Sequence, residues 1–230
     1  EVRVIAVVPD LLKRGDNAVA PRSKSDAGGF QWAGGAAPQS SFSRDFLSGP
    51  VLQVARDLLG CRLVSTVGGR RTAGVIVEVE AYEGPEDPAS HAATKTGITP
   101  RNAVMFGPAG RAYVYRIYGV HWCFNVVSGA EGIARAVLIR GLSPLEGEDV
   151  MGERRHHRLP LCAGPGRLGE ALGITGALYG HRLDKPPLQL LPGWSVLEST
   201  VAVSGRIGVR AAADWPYRFY VRNAEGVSRR

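Results

Sequence analysis

The sequence predicts an α+β protein, a single domain built around a curved, mostly antiparallel sheet with flanking helices. Three observations carry this reading. β-Prone runs at residues 112–118, 122–128 and 134–140 follow one another through glycine-containing links at Gly119 and at residues 129–132, which are too short for parallel crossovers. Residues 61–66 and 72–82 flank a Gly68-Gly69 turn and read as a further hairpin. Helical signals are confined to residues 48–60 and 167–172.

Taken in order, residues 16–43 are rich in Gly, Ala, Ser and Pro without helical or strand period. A flexible tail is expected over residues 1–44 and the domain over 45–230. The first helix is expected to take Ser48 as N-cap, Pro50 in its first turn and Gly60 as its stop. Val51, Val54, Ala55, Leu58 and Leu59 then share one apolar face. After residue 172 the sequence reads as loop, with Pro186, Pro187 and Pro192, followed by a final β-like stretch.

With 230 residues, 44% apolar and 21% charged, the chain fits one globular domain with a real core. No apolar run approaches the roughly 20 residues needed to cross a bilayer, so a soluble, monomeric protein without a membrane partner is expected. Val2 to Val8 are apolar apart from Arg3, but Pro9 and Asp10 interrupt them, and no secretory leader is read there. The three cysteines, Cys61, Cys123 and Cys162, are widely spaced and odd in number. That argues against a disulfide framework or a zinc site and for a reducing compartment, the cytoplasm or, in a bacterium, its nucleoid. The net charge is +7, of which residues 1–40 contribute only +1. A basic excess on the folded part favours a polyanionic partner, nucleic acid before membrane.

In the strand 75–82 the period of two places Val75, Val77, Val79 and Ala81 on one face and Glu78, Glu80 and Tyr82 on the other. Two carboxylates about 7 Å apart repel, which raises at least one pKa and suits a general acid or base. A solvated strand face is the alternative. Residues 113–119 (YVYRIYG) hold three tyrosines and an arginine. Such rings pack in cores, yet Tyr118 precedes Gly119 at the strand end, where it can project and stack on a base.

Two further patterns carry less. Residues 164–169 (GPGRLG) fit G-x-G-x-x-G, but a basic loop precedes them where a dinucleotide site needs an apolar strand; the turn suits a DNA phosphate instead. His156 and His157 are adjacent, without the i, i+4 spacing of a helical metal pair. Arg154, Arg155 and Arg158 around them suit either a phosphate contact or a solvated loop.

Residues 80–91 (EAYEGPEDPASH) closely resemble the alkyladenine (3-methyladenine) DNA glycosylase family. Further stretches match in order: 99–102 (TPRN), Met105-Phe106, 113–119, Asn125, 138–140 (LIR), 144–147 (PLEG), 162–168 (CAGPGRL), 206–208 (RIG) and 215–220 (WPYRFY). The resemblance runs from about Asp45 to Tyr220. It implies a monofunctional enzyme that flips alkylated or deaminated purines from double-stranded DNA and hydrolyses the N-glycosidic bond, leaving an abasic site. Glu80 matches the base that activates water, and Arg140 the arginine that helps hold that water. Tyr82, His91, Tyr115 and Leu138 match the pocket for the flipped base, and Asn125 the residue that crowds the amine of guanine. Tyr118 matches the wedge that fills the vacated stack, Met105 a side chain inserted beside it, and Arg101 and Arg167 further DNA contacts. No metal or organic cofactor is implied. The residues also admit a carbohydrate glycosidase with a Glu78/Glu80 pair, whose spacing falls in the inverting range, or a damage-binding protein without turnover.

Overall fold

The structure is a computed structural model that describes residues 45–90 and 97–229. The expected tail over 1–44 and His91 lie outside the described residues. Eight strands form one sheet: β1 (Arg62–Ser65), β2 (Thr72–Tyr82), β3 (Ala112–Ile117), β4 (His121–Val127), β5 (Ala136–Glu146), β6 (Leu188–Leu191), β7 (Val201–Ser204) and β8 (Arg218–Val221). Their order is β3-β4-β5-β2-β1-β6, and every ladder among the described residues is antiparallel. The long strand β2 changes neighbour along its length, pairing Thr72–Val75 with β1 and Glu78–Glu80 with β8. That exchange, with β7 outside β8, curls the sheet as the sequence predicts.

Four α-helices are described: α1 (Asp45–Ser48), α2 (Val51–Leu58), α3 (Glu148–Arg154) and α4 (Pro165–Leu172). Ser48 is not an N-cap; it closes α1. Pro50, in extended conformation, caps α2 without a side-chain bond, and Leu59 rather than Gly60 is its C-cap. The expected face is nevertheless the buried one, with Val51, Val54, Ala55, Leu58 and Leu59 each at most 4% exposed. Helix α2 lies on β2, and α4 on β4 and β5. The main core, including Val79, Phe124, Val126, Val137 and Ile139, fills the space between that sheet face and the helices.

Three elements escape the sequence reading. Strand β5 runs six residues past Arg140, through Gly141 and Pro144, because register shifts absorb both breakers. Helix α3 starts from left-handed Gly147 and carries Glu148 and Asp149 in its first turn and Arg154 in its last, matching the helix dipole. Strand β6 occupies part of the proline-rich stretch read as loop.

The GPGRLG stretch has a packing role. An isolated antiparallel bridge, Gly141 to Ala163, leads into α4, so no parallel strand precedes the helix and the dinucleotide reading fails. Gly166 and Gly169 lie one turn apart against β4, where added Cβ atoms would stand 3.0 Å from the His121 side chain and 2.6 Å from the Trp122 carbonyl oxygen. Gly169→Ala is expected to push α4 off the sheet and cost on the order of 1–3 kcal/mol. A lowered urea midpoint with an unchanged slope checks this.

Candidate active site

The sheet's second face carries the polar groups. Across it, Tyr113, Asn125, Leu138, Glu80 and Arg218 are successive direct neighbours on β3, β4, β5, β2 and β8. The period of two adds Tyr115, Cys123, Ala136, Arg140, Glu78 and Tyr82 to the same face. Opposite β5, strand β2 skips Val77, and opposite β2, strand β5 skips Arg140. This pair of compensating bulges sits at the carboxylates and aims the Arg140 guanidinium between them.

Both glutamates have no exposed surface, so the solvated strand face is excluded. Glu80 accepts hydrogen bonds from the Ile207 N–H at 2.6 Å and the Tyr82 hydroxyl at 3.1 Å, and Arg140 Nη1 stands 3.3 Å from its Oε1. Burial lifts its carboxyl above the ordinary range against the pull of Arg140, Ile207 and Tyr82; the Glu78 charge adds least. The direction expected from the sequence holds, but desolvation rather than like-charge repulsion is its main cause. Glu78 Oε1 accepts from Arg218 Nε at 2.8 Å, Arg140 Nε at 3.2 Å and Ser228 Oγ at 2.8 Å, while its Oε2 accepts from the Ser228 N–H at 2.5 Å.

Of the residues singled out in the sequence, Glu80, Arg140, Tyr82, Tyr115, Asn125 and Leu138 share this face. Asn125 is 4% exposed, and its Nδ2 donates to the Tyr113 carbonyl at 3.1 Å, which fixes the amide. Tyr115 stacks on Tyr113 with ring centroids 5.2 Å apart, and the Arg101 guanidinium lies 5.6 Å from its ring. Met105 is only 3% exposed and packs with Tyr113, Val127 and Ala136 in a small second core on this face. It therefore lies within the wall, not at the surface beside Tyr118. Tyr118 stands apart at the β3–β4 tip, 86% exposed, with φ of 53° next to Gly119 at 70°. Paired left-handed residues mark a type I′ turn, and a bulky ring there carries backbone strain. Arg167 is exposed on the first turn of α4 and donates to the Ala163 carbonyl.

The basic 154–158 segment is tied inward. Arg154 donates to the Ala171 and Val67 carbonyls, and buried Arg155 pairs with Glu170, which also takes Arg158. These contacts fasten α3 to α4 and leave Arg154 and Arg155 unsuited to holding phosphate. A concavity of about 770 Å³ lies between Phe46, Arg56, Trp194 and Glu198, away from the polar face. Among the described residues no group of three His, Cys, Asp or Glu side chains is arranged to hold a metal ion.

Five residues at the site went unassigned in the sequence. Asp87 and Arg206 form a bidentate ion pair with both side chains fully buried, and Arg206 also donates to the Ala81 carbonyl at 3.0 Å. Its guanidinium lies 4.9 Å from the Tyr82 ring and 5.2 Å from that of Tyr217, so the pair fixes both Tyr82 and the adjoining Ile207 N–H. Asp87, Arg206, Ile207 and Arg218 fall within quoted motifs, a usable signal; Ser228 falls in none.

The chain is similar to known proteins over most of its length. The sequence profile of the methylpurine-DNA glycosylase family matches residues 45–225. A Myxococcus xanthus protein named "Putative 3-methyladenine DNA glycosylase" is 49% identical over 195 residues, 84% of this chain and 93% of its own. Proteins of the same name from Methanoculleus marisnigri (48% identical; 84% and 98% covered) and Carboxydothermus hydrogenoformans (47%; 81% and 98%) are similar. These matches put the chain in the class of DNA glycosylases, enzymes of DNA repair. Within that class it belongs to the methylpurine-DNA glycosylase family. No helix among the described residues is long and apolar enough to cross a membrane.

Breaking the Asp87–Arg206 pair is expected to be costly. Burial, the largest single influence, would raise the Asp87 carboxyl, but the Arg206 hydrogen bonds and charge together with the Ala89 and Glu83 N–H groups outweigh it, and the net position is below the ordinary range. Its stabilisation is therefore present above the unfolded pKa of about 3.9 and is lost as pH falls through the lower folded value. Asp87→Asn leaves Arg206 buried without its counter-charge and should cost about 3–5 kcal/mol at pH 7. Urea melts from pH 7 to 3 should show the difference from the parent protein shrinking at the acid end.

Proposed function

We propose that the protein flips alkylated or deaminated purines out of duplex DNA and hydrolyses their N-glycosidic bond with a water activated by Glu80. The enzyme acts as a monofunctional monomer and leaves an abasic site. The carrying observation is the fully buried Glu80 carboxylate, raised in pKa and bonded to Arg140 and the Ile207 N–H. Water attacks the anomeric carbon as the C1′–N bond breaks; the bonding pair leaves with the base, and the water proton passes to Glu80. Cationic character at the sugar is stabilised by the ionised carboxylate. A cationic alkylated purine departs neutral, whereas a neutral lesion needs an added proton.

Tyr82, Tyr115 and Leu138 form walls for the extruded base, with His91 assigned beside them by the family motif, and Asn125 crowds the purine 2-position. Stacking on rings returns roughly 1–3 kcal/mol per base. Tyr118 fills the vacated stack; the exposed ring on a turn of fixed geometry supports that role. Arg101 and Arg167 contact the backbone. Met105 shapes the wall under Tyr113 and reaches DNA only if its segment moves. The four bonds on Glu78 argue against a glycosidase pair, because that carboxylate has little capacity left for a substrate proton or a water.

Glu80→Gln should reduce single-turnover excision of hypoxanthine or 1,N6-ethenoadenine from duplex DNA by at least 10²–10⁴-fold, with lesion binding retained. Full activity in this variant would overturn the reading. In the parent protein the rate should fall as pH drops through a value above the ordinary Glu pKa of about 4.3, since only the ionised group accepts the proton.

Tyr118→Asn separates strain from function. Asn tolerates the left-handed region, so stability should hold or rise by up to about 1 kcal/mol, while affinity for a lesion duplex falls. Loss of stability would mark Tyr118 as a packing residue.

A further inference from the structure

The chain that follows β8 crosses the catalytic face at close range. Gly226, with φ of 93°, lies so near β5 that an added Cβ would stand 2.0 Å from the Leu142 carbonyl oxygen, and one on Gly141 would stand 2.2 Å from the Gly226 carbonyl oxygen. Two glycines thus let this strap lie directly on β5, next to the bulged Arg140. Ser143 Oγ donates to the Glu225 carbonyl at 3.0 Å on one side, and the Arg229 carbonyl accepts from Arg218 Nη2 on the other. Between these anchors Ser228 gives Glu78 both its N–H and its hydroxyl, and its Oγ also lies 3.4 Å from Arg140 Nη2.

We infer that this strap is part of the active-site apparatus, with Ser228 a positioning residue that holds Glu78 and, through it, the Arg140 guanidinium against Glu80. The inference rests on the proposed function. The family profile ends at residue 225, so Ser228 and its contacts to Glu78 and Arg140 lie beyond the matched segment. Arg140 divides itself between two carboxylates: Nε lies 3.2 Å from Glu78 and Nη1 3.3 Å from Glu80. Ser228 supplies two of the four donors on Glu78 and an oxygen for the far side of the guanidinium. Without its hydroxyl, Glu78 Oε1 retains only the two arginines, Arg140 is drawn toward Glu78, and its contact to Glu80 loosens.

The groups around Glu80 make the consequence readable by pH. Glu78 and Tyr82 face it from β2, Arg140 from β5 and Arg218 from β8; Arg206 and the Ile207 N–H approach from the segment before β8, and Tyr115 and Cys123 from the hairpin. Arg140 is first among the groups that hold the Glu80 carboxyl down. Loosening it leaves more of Glu80 protonated at a given pH, so the acid limb of the rate profile moves to higher pH.

The test is single-turnover excision of hypoxanthine from duplex DNA across pH 5–9 by the full chain and its Ser228→Ala, Ser228→Thr and Glu80→Gln variants. Ser228→Ala should be slowed about tenfold near neutrality, within the range that a misplacement on the order of 1 Å produces. Its acid limb should move up, its deficit should shrink at high pH, and its lesion affinity should be unchanged. Ser228→Thr, which keeps the hydroxyl and the N–H, should recover most of the rate. Parental rate and pH profile in Ser228→Ala, with Glu80→Gln inactive, would overturn the inference and leave the proposed function standing. A pH-independent loss that tracks a lowered Tm and is not recovered by Thr would also overturn it, marking Ser228 as structural only. Activity in Glu80→Gln would fail the underlying mechanism instead.

Discussion

An ion removed from water loses several kcal/mol of solvation even after the surrounding protein relaxes, and it stays charged only where fixed groups replace that water. Glu78 and Glu80 impose this condition twice within three residues of β2, both without exposed surface. Arg140 touches both, Arg218 and Ser228 complete Glu78, and Ile207 and Tyr82 complete Glu80. The donors come from strands and segments far apart in sequence, so the site forms only when the sheet is closed through β8. The paired bulges fall at the same carboxylates, with β2 skipping Val77 and β5 skipping Arg140.

The two glutamates divide the work through their surroundings. Glu78 is bonded at both oxygens by charged or rigid donors and serves as an anchor for cations. Glu80 has one arginine contact, one backbone donor and one hydroxyl, and burial outweighs them. Glu80, whose carboxyl burial lifts above the ordinary range, is the one placed to take up a proton. Asp87 and Arg206 extend the anchoring outward, stacking one cation between Tyr82 and Tyr217 and so joining the base wall to the segment that presents Ile207.

Local pattern made much of this legible. The hairpins, the curled antiparallel sheet and the acid-bearing face of β2 follow from period two and glycine links, and the apolar face of α2 from its 3.6-residue period. What escaped depends on contacts distant in sequence. Gly141 and Pro144 look like strand ends until the bulges and the Gly226 approach are known. Arg154 and Arg155 look like a phosphate grip because their partners, Glu170 and the Ala171 and Val67 carbonyls, are chosen by helix packing. Ser228 lies 150 residues from Glu78 along the chain, and no periodicity spans that interval. The GPGRLG stretch shows the converse: a pattern associated with phosphate binding arises here from the close fit of a helix on Trp122.

The β3–β4 hairpin has a consequence for how this protein can vary in length. Tyr113 lies in the row that contains Glu80, and Tyr118 lies five residues further along, a span of roughly 17 Å at strand rise. The ladder is regular from Ala112 to Ile117 against Val126 to His121, so that span is set by residue count alone. One residue added to either strand would turn Tyr113 and Tyr115 toward the helices, or Asn125 away from Leu138. Insertions or deletions here are tolerable only as matched pairs, one residue in each strand, and each such pair would change the distance from hairpin tip to carboxylate by one residue's rise, roughly 3.4 Å. The arm should therefore keep one length across its relatives.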